Sequence, residues 1–194
     1  VYCLSKVPDF YPNIVTTQQG AYKNEQLISN LTVQNSNQNL SIKDSFAELD
    51  LVPLNFKKLF DAHWICFSNH LEDSKHFNLS WHAVESEQEL ENWEKDWDER
   101  EGEVSRIFTN PLLKDPTVKF WSGHSIDEFQ AGYISNTTGN VVGISNIFGS
   151  YKDCIHHAKV QFPHQQIVGY EMGSSLEEAK DLGAEIIGDL TIWI

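Results

Sequence analysis

Between Asn140 and Ile194 the chain reads NVVGISNIFGSYKDCIHHAKVQFPHQQIVGYEMGSSLEEAKDLGAEIIGDLTIWI, and this alternation of strand and helix patterns calls for a sheet covered by helices. Val141, Val142, Ile144 and Ile147 make an apolar, β-branched run suited to a buried strand. The run stops at Phe148-Gly149-Ser150, where a turn is expected. Tyr151, Ile155, Ala158 and Phe162 then recur near the helical period and predict a helix with one stripe on the sheet, ended by Pro163. Gln166 to Glu171 reads as a second buried strand. Ser174-Ser175, with Glu177 and Glu178 three positions on, predict a capping box, and Gly183 predicts a C-terminal cap. Ile186, Ile187, Leu190, Ile192 and Trp193 supply a last strand, with a bend or bulge expected at Gly188-Asp189.

The order of elements over Leu79 to Ile194, and the run LEEAKDLGAEIIGDLTIWI in particular, resembles the second half of a GNAT-type acyl-CoA-dependent N-acetyltransferase. There a helix of the form A-x-x-L-G-F leads into the final strand. The resemblance implies an α/β (α+β) protein with a mixed, mostly antiparallel twisted sheet flanked by helices. It makes VVGISNIFGS the central strand, splayed from QIVGYE to open a notch for the pantetheine arm of acetyl-CoA. Acetyl-CoA is then the implied co-substrate, a small amine the acceptor, and Ile144, Ser145, Ile147, Phe148, Gly149, Ser150, Tyr151 and Lys152 the implied cofactor contacts.

Two departures from the family pattern bear on activity. The family holds the CoA pyrophosphate in a loop of the form Q/R-x-x-G-x-G/A at a helix N-terminus. Here Phe148 to Asp153 stands in its place with one glycine; Lys152 favours an anion and Asp153 opposes it. A tyrosine that protonates the departing thiolate in many members aligns with Ala179. Two readings follow, an N-acetyltransferase on a small amine, or a non-catalytic GNAT-like ligand-binding or interaction module that has lost CoA. A third keeps the pattern as generic to α/β folds.

Particular side chains carry these readings. Glu171 ends a strand beside the expected notch, where a carboxylate is either a general base for an amine or a solvated strand end. Ser145 and Asn146 are polar inside an apolar run and need partners; they face the acyl carbonyl, making Asn146 a second catalytic candidate, or satisfy neighbouring backbone. Trp121, His124 and Tyr170 are expected to line a substrate pocket. The eight histidines show no HExxH pair, and Cys154 with His156 and His157 lacks a second ligand pair, so no metal is expected. His157 is expected on the surface or a helix flank, and Trp93 and Trp97, four apart, in the core.

Upstream the pattern is weaker. Residues 1–78 are expected to form an α/β region, a decayed half or full GNAT-like repeat, with the boundary in the polar stretch His70 to Asn78. Within it, VYCLS and Phe46 to Val52 are read as strands, and Tyr22 to Leu31 as a helix turning Tyr22, Leu27, Ile28 and Leu31 inward. Asn55 to Asp61 is read as a short helix before a strand at His63 to Phe67. Residues 79–194 then supply strand, helix, three strands, helix, strand, helix and strand.

Charge narrows the partners. Among 194 residues, 14 basic against 28 acidic side chains give a formal charge of −14, which argues against phosphate-backbone binding and against an anionic membrane surface. No apolar stretch reaches membrane-spanning length. Three widely spaced cysteines, Cys3, Cys66 and Cys154, point to a reducing, cytoplasmic setting, and a monomer or homodimer is expected.

Overall fold

The computed structural model describes residues 1–3, 7–8, 11–35, 39–68, 79–98, 106–125 and 129–194. In chain order its elements are β1 (Ile14–Val15), α1 (Ala21–Gln34), β2 (Ile42–Asp44), β3 (Lys58–Phe67), β4 (Ser80–Ala83), α2 (Glu87–Trp97), α3 (Asn110–Leu113), β5 (Val118–His124), β6 (Phe129–Thr138), β7 (Val141–Gly149), α4 (Tyr151–Gln161), β8 (Gln166–Glu171), α5 (Gly173–Asp181) and β9 (Ala184–Trp193). A short 3-10 turn, Val52–Leu54, precedes β3. These elements form two compact units, one of Val1–Trp64 with Ile187–Ile194, the other of Ile65–Ile186. The sequence places the division at 78/79, inside or beside the stretch 69–78, which lies outside the described residues. The bounds of these units fall at 64/65, within β3, and at 186/187, within β9.

In the first unit the strand order is β1-β2-β9-β3. β1 is parallel to β2, and β2 is antiparallel to β9, with Ile42 opposite Trp193 and Asp44 opposite Thr191. Ile28, Leu31, Ile42, Leu51 and Trp193 form its core. Asp44 is buried at 1% exposure because its carboxylate accepts from the amides of Phe46 and Leu49 and from Thr16 Oγ1. Those bonds hold a turn in which Ala47 takes a positive φ of 51°. The strand expected at Phe46 to Val52 is therefore this turn, and the strand lies earlier, at Ile42–Asp44. The helix expected at Asn55 to Asp61 is replaced by the start of β3 at Lys58. Tyr22 and Leu27, expected inward, are exposed on α1, which buries Ile28 and Leu31. Of VYCLS, Leu4 and Ser5 lie outside the described residues; Tyr2 bridges Ile14, and Val1 and Cys3 bond to the backbone of Val15 and Asn13.

In the second unit Ile65–Phe67 of β3 lies beside β8, and the order continues β8-β7-β6-β5-β4. β4, β5, β6 and β7 are antiparallel neighbours, and β7 pairs with β8 in parallel. Two cores cover the two sheet faces, as the alternation of Tyr133 and Ile134 along β6 shows. Ile134 joins Leu90, Trp93, Phe108 and Phe120 under α2. Tyr133 joins Val142, Ile144, Ile155, Ile167, Leu176 and Ala179 under α4 and α5. Each fully buried large side chain of this kind contributes about 1.5–3 kcal/mol.

The helix termini explain where the elements stop. Ser86 Oγ accepts from the Glu89 amide while the Glu89 carboxylate accepts from the Ser86 amide, a closed capping box on α2. The box expected at Ser174-Ser175 does not form: α5 starts at Gly173 after Met172, and neither serine caps it. At its other end Gly183, at φ 85°, donates its amide to the Lys180 carbonyl and turns the chain into β9. β9 runs through Gly188-Asp189 as continuous strand.

Candidate functional site

β7 and β8 are registered as a parallel pair only at Val141–Gln166, Val142–Ile167 and Gly143–Val168. β7 continues to Gly149 and β8 to Glu171 without further registered pairs. The strands are still close one step on, where a Cβ on Gly169 would lie 3.3 Å from the Ile144 carbonyl oxygen. Beyond that point Ser145 to Phe148 continue β7, and Tyr170-Glu171 end β8. A β-bulge lies in the β6-β7 ladder at this level: Ile134 faces Ser145 while Gly132 faces Phe148, so Asn146 and Ile147 oppose Tyr133 alone. Asn146 carries the bulge at φ 53°, a left-handed conformation that asparagine tolerates better than most side chains. Gly149, at φ 70°, turns the chain out of β7, and Ser150 caps α4 by accepting from the Asp153 amide at 3.3 Å.

Two ionisable side chains meet at the end of β8. Tyr151, the first residue of α4, is 8% exposed, and its hydroxyl is buried. The Glu171 carboxylate stands near enough to bond to it and to perturb it. Burial lifts the Glu171 carboxyl to about 7; the Tyr151 hydroxyl draws it down and Glu178 pushes it further up. Burial, then the charges of Glu171 and Glu178, hold the Tyr151 phenol far above its ordinary range. At neutral pH the site therefore presents a carboxylate that takes up and releases protons, beside a hydroxyl that stays a donor.

No family model matches this sequence, and no curated protein matches it. Solved structures do. A functionally unknown conserved protein from Staphylococcus epidermidis aligns over 92% of this chain and 82% of its own, at TM-score 0.62 and 9% identity. A GCN5-related N-acetyltransferase from Kribbella flavida aligns over 95% and 78%, at TM-score 0.60 and 8% identity. A GNAT-family protein from Novosphingobium aromaticivorans aligns over 85% and 78%, at TM-score 0.51 and 8% identity. The chain has the GNAT fold. Its mixed, mostly antiparallel sheet flanked by helices is the one the sequence implies.

Within the GNAT framework the residues singled out in the sequence separate into two groups. Ile144, Ser145, Asn146, Ile147, Phe148, Gly149, Ser150, Tyr151, Lys152, Tyr170 and Glu171 all lie on β7, β8 or the turn into α4 and its first residues. Ile144 and Tyr151 are buried, Ser145, Gly149 and Lys152 exposed, and Asn146, Ile147, Phe148 and Ser150 half-buried. Tyr170 and Glu171 alternate to opposite faces of β8. Trp121 and His124 belong elsewhere. Trp121 packs into the α4-side core, its indole N–H donating to Ser135 Oγ at 2.9 Å. His124 stacks on His82 with ring centroids 5.0 Å apart and shares a 3.1 Å hydrogen bond with Ser122. The Ala179 side chain is fully buried in the core, so α5 presents no hydroxyl at that position.

The pairing of Tyr151 with Glu171 was not visible in the sequence, since it joins residues twenty positions apart through the β7-α4-β8 crossover. His157, expected on a surface or flank, is 4% exposed. It lies three residues beyond Cys154, which widens the buried stripe of α4 enough to carry it inward; that spacing was the available signal. Among the described residues no group of three or more His, Cys, Asp or Glu side chains is placed to hold a metal, and no helix is long and apolar enough to cross a membrane.

Proposed function

We propose that this chain is an acyl-CoA-dependent N-acyltransferase that acetylates a small amine, in the cytoplasm. The observation that carries the reading is a parallel β7-β8 pair whose register is given only as far as Gly143–Val168, with Glu171, its carboxyl lifted to about 7, at the end of β8. The residues present fit the arm of an acyl-CoA better than its phosphates. On the arm side β7 has no registered β8 partner beyond Gly143, whereas the turn into α4 has a single glycine, one lysine and an opposing Asp153. Ser145 to Phe148 with Tyr151 would hold the arm, and Gly149 to Lys152 would meet the phosphates.

Acyl-CoA supplies an activated thioester. The neutral amine would attack the thioester carbonyl carbon, the C–S bond would break with the coenzyme leaving as its thiolate, and Glu171 would accept the proton lost by the amine nitrogen, directly or through water, the thiolate taking a proton from solvent. The backbone of Ile144 to Ile147, turned at the bulge, would polarise the acyl carbonyl, and β7 with β8 would hold the reacting groups together. Calorimetry with acetyl-CoA and free CoA tests the reading. One-site binding, weakened when Gly149 is replaced by leucine, which its positive φ resists, supports it; absence of heat at millimolar ligand overturns it.

A second reading is favoured by one observation, the burial of Ala179 where a proton donor is expected. In that reading the chain is a non-catalytic GNAT-like module that binds a ligand or partner through the same β7-β8 region. Binding of CoA without thiol release in the presence of amines would select it.

A further inference from the structure

A strand edge whose backbone groups lack partners is a template for another strand, and folded chains ordinarily blunt it with proline, lysine, a bulge or a covering loop. β9 is one continuous strand from Ala184 to Trp193, with β3 on one side of it and β2 on the other. β2 is short: it is registered against β9 only at Ile42 to Asp44, opposite Trp193 to Thr191. Past Asp44 the chain turns, with the Asp44 carboxylate accepting from the amides of Phe46 and Leu49. On that side Ala184 to Leu190 have no registered strand among the described residues. The segment reads Ala-Glu-Ile-Ile-Gly-Asp-Leu, with no proline and no lysine. Glu185, Ile186 and Ile187 are exposed in succession, the two isoleucines at 45% and 58%. Side chains alternate along a strand, so both of its faces are open there.

We propose that this edge of β9 pairs antiparallel with the same edge of a second copy of the chain, across a two-fold axis at Ile186, independently of the acyltransferase reading. Charge selects the register. Opposed residues of a two-fold antiparallel pair share a sheet face, so the axis passes beside one residue and its own counterpart. Centring on Ile187 would set Glu185 opposite Asp189 of the second copy, and like charges directly opposed destabilise a ladder. Centring on Ile186 sets Glu185 opposite Ile187 of the second copy and Ala184 opposite Gly188, with no acids opposed. Asp189 then lies beyond the paired segment, where it is already bonded to His63 Nδ1 of its own chain at 2.7 Å. Ile186 meets its counterpart, and Ala184 with Gly188 leaves the ends of the pair uncrowded. A second copy fits for one more reason: the pairing occupies the edge on both chains, so assembly closes at two instead of running on as a fibre. The paired segment is short, and a small interface makes a concentration-dependent dimer.

Sedimentation velocity across the micromolar range tests the pairing. It should show a monomer–dimer equilibrium that Ile186→Lys and Ile187→Lys each weaken by about ten-fold or more. Because both side chains are exposed, the melting temperature of dilute protein should not move. Cysteine cross-linking reads the register, in a Cys3→Ser background that removes the exposed native thiol. Ile186→Cys brings two thiols together across the axis, at the roughly 4.5–5.5 Å Cβ separation of opposed residues, close to what a disulfide spans. Mild oxidation should link most of that protein as dimer. Ile187→Cys meets its counterpart only diagonally, at roughly 7–8 Å, and should stay unlinked, as should Val33→Cys, exposed on α1. A monomer at every concentration overturns the inference, even where the β9 edge accepts an unrelated extended peptide. A dimer indifferent to Ile186→Lys overturns it too, since it would use another surface. Linking at Ile187→Cys in preference to Ile186→Cys contradicts the axis and with it the proposal.

Discussion

The Tyr133 hydroxyl lies 2.9 Å from Nδ1 of His157, inside a core where both residues are almost wholly buried. The imidazole also lies flat on the Trp81 indole, with centroids 4.4 Å apart and planes 7° from parallel, and Trp121 meets it edge-on. Burial lowers the imidazole to about 4, so it is neutral in the folded chain at physiological pH. A charged ring buried this deeply loses most of its hydration.

A stability profile follows from that depressed value. Unfolded, His157 titrates near its ordinary 6.5; folded, near 4. Between them the unfolded chain binds the proton more readily, so this contribution is complete above pH 6.5 and is lost as pH falls through 4. The loss should reach on the order of 3 kcal/mol. Urea midpoints at pH 7 and pH 5 should differ more for wild type than for His157→Gln, and parallel shifts would remove the assignment.

Glu171 predicts the opposite slope. Its folded carboxyl titrates near 7 against an ordinary 4.5, so the folded chain holds the proton more tightly. Its contribution to stability is complete below pH 4.5 and declines as pH rises through 7. Replacing it with glutamine should therefore leave stability little changed at pH 4.5 and raise it relative to wild type at pH 8, as read from thermal midpoints in matched buffers.

Gly132 sits where β6 passes beneath two aromatic rings. A Cβ there would approach Phe148 to 2.5 Å and the Trp93 indole nitrogen to 2.7 Å. Gly132→Ala should destabilise by about 1–3 kcal/mol through overpacking and displace Phe148 of β7. Chemical denaturation measures the first effect, and a fall in acetyl-CoA affinity beyond that caused by a surface alanine measures the second.

Glu94 anchors the segment that follows α2. Its carboxylate, 6% exposed, accepts from the amides of Ile107 and Phe108 and pairs with Arg106 Nε at 2.6 Å. Glu94→Ala leaves those buried amides without an acceptor and should cost about 3 kcal/mol. A change below about 0.5 kcal/mol in denaturant titration, the range of ordinary surface substitutions, would show that water replaces the carboxylate there.

The second half of the fold was legible because its local signals agree with its tertiary packing. β7, α4 and β8 begin and end close to where Val141, Ser150, Pro163 and Glu171 place them. In the first unit the signals conflict. Phe56, Leu59 and Phe60 have helical spacing, yet Lys58–Phe67 is a strand, because pairing with neighbouring strands outweighs a short local preference. Ala47 at positive φ could not be read from an alanine; it follows from the Asp44 carboxylate gathering the turn amides. At the site, sequence order placed Glu171 and Tyr151 in the same region, but their mutual perturbation depends on how the crossover helix is seated. Trp121 and His124 were drawn together by adjacency in sequence, whereas they belong to different packing groups of β5.

Thiol release from acetyl-CoA in the presence of a panel of small primary amines, followed across pH 5 to 9 for wild type and Glu171→Gln, tests the central claim most directly. The account predicts amine-dependent release that rises as pH passes through about 7 and is largely lost, with its pH dependence, in the glutamine variant. Release that never exceeds the rate without protein, or that survives Glu171→Gln with its profile intact, would contradict it.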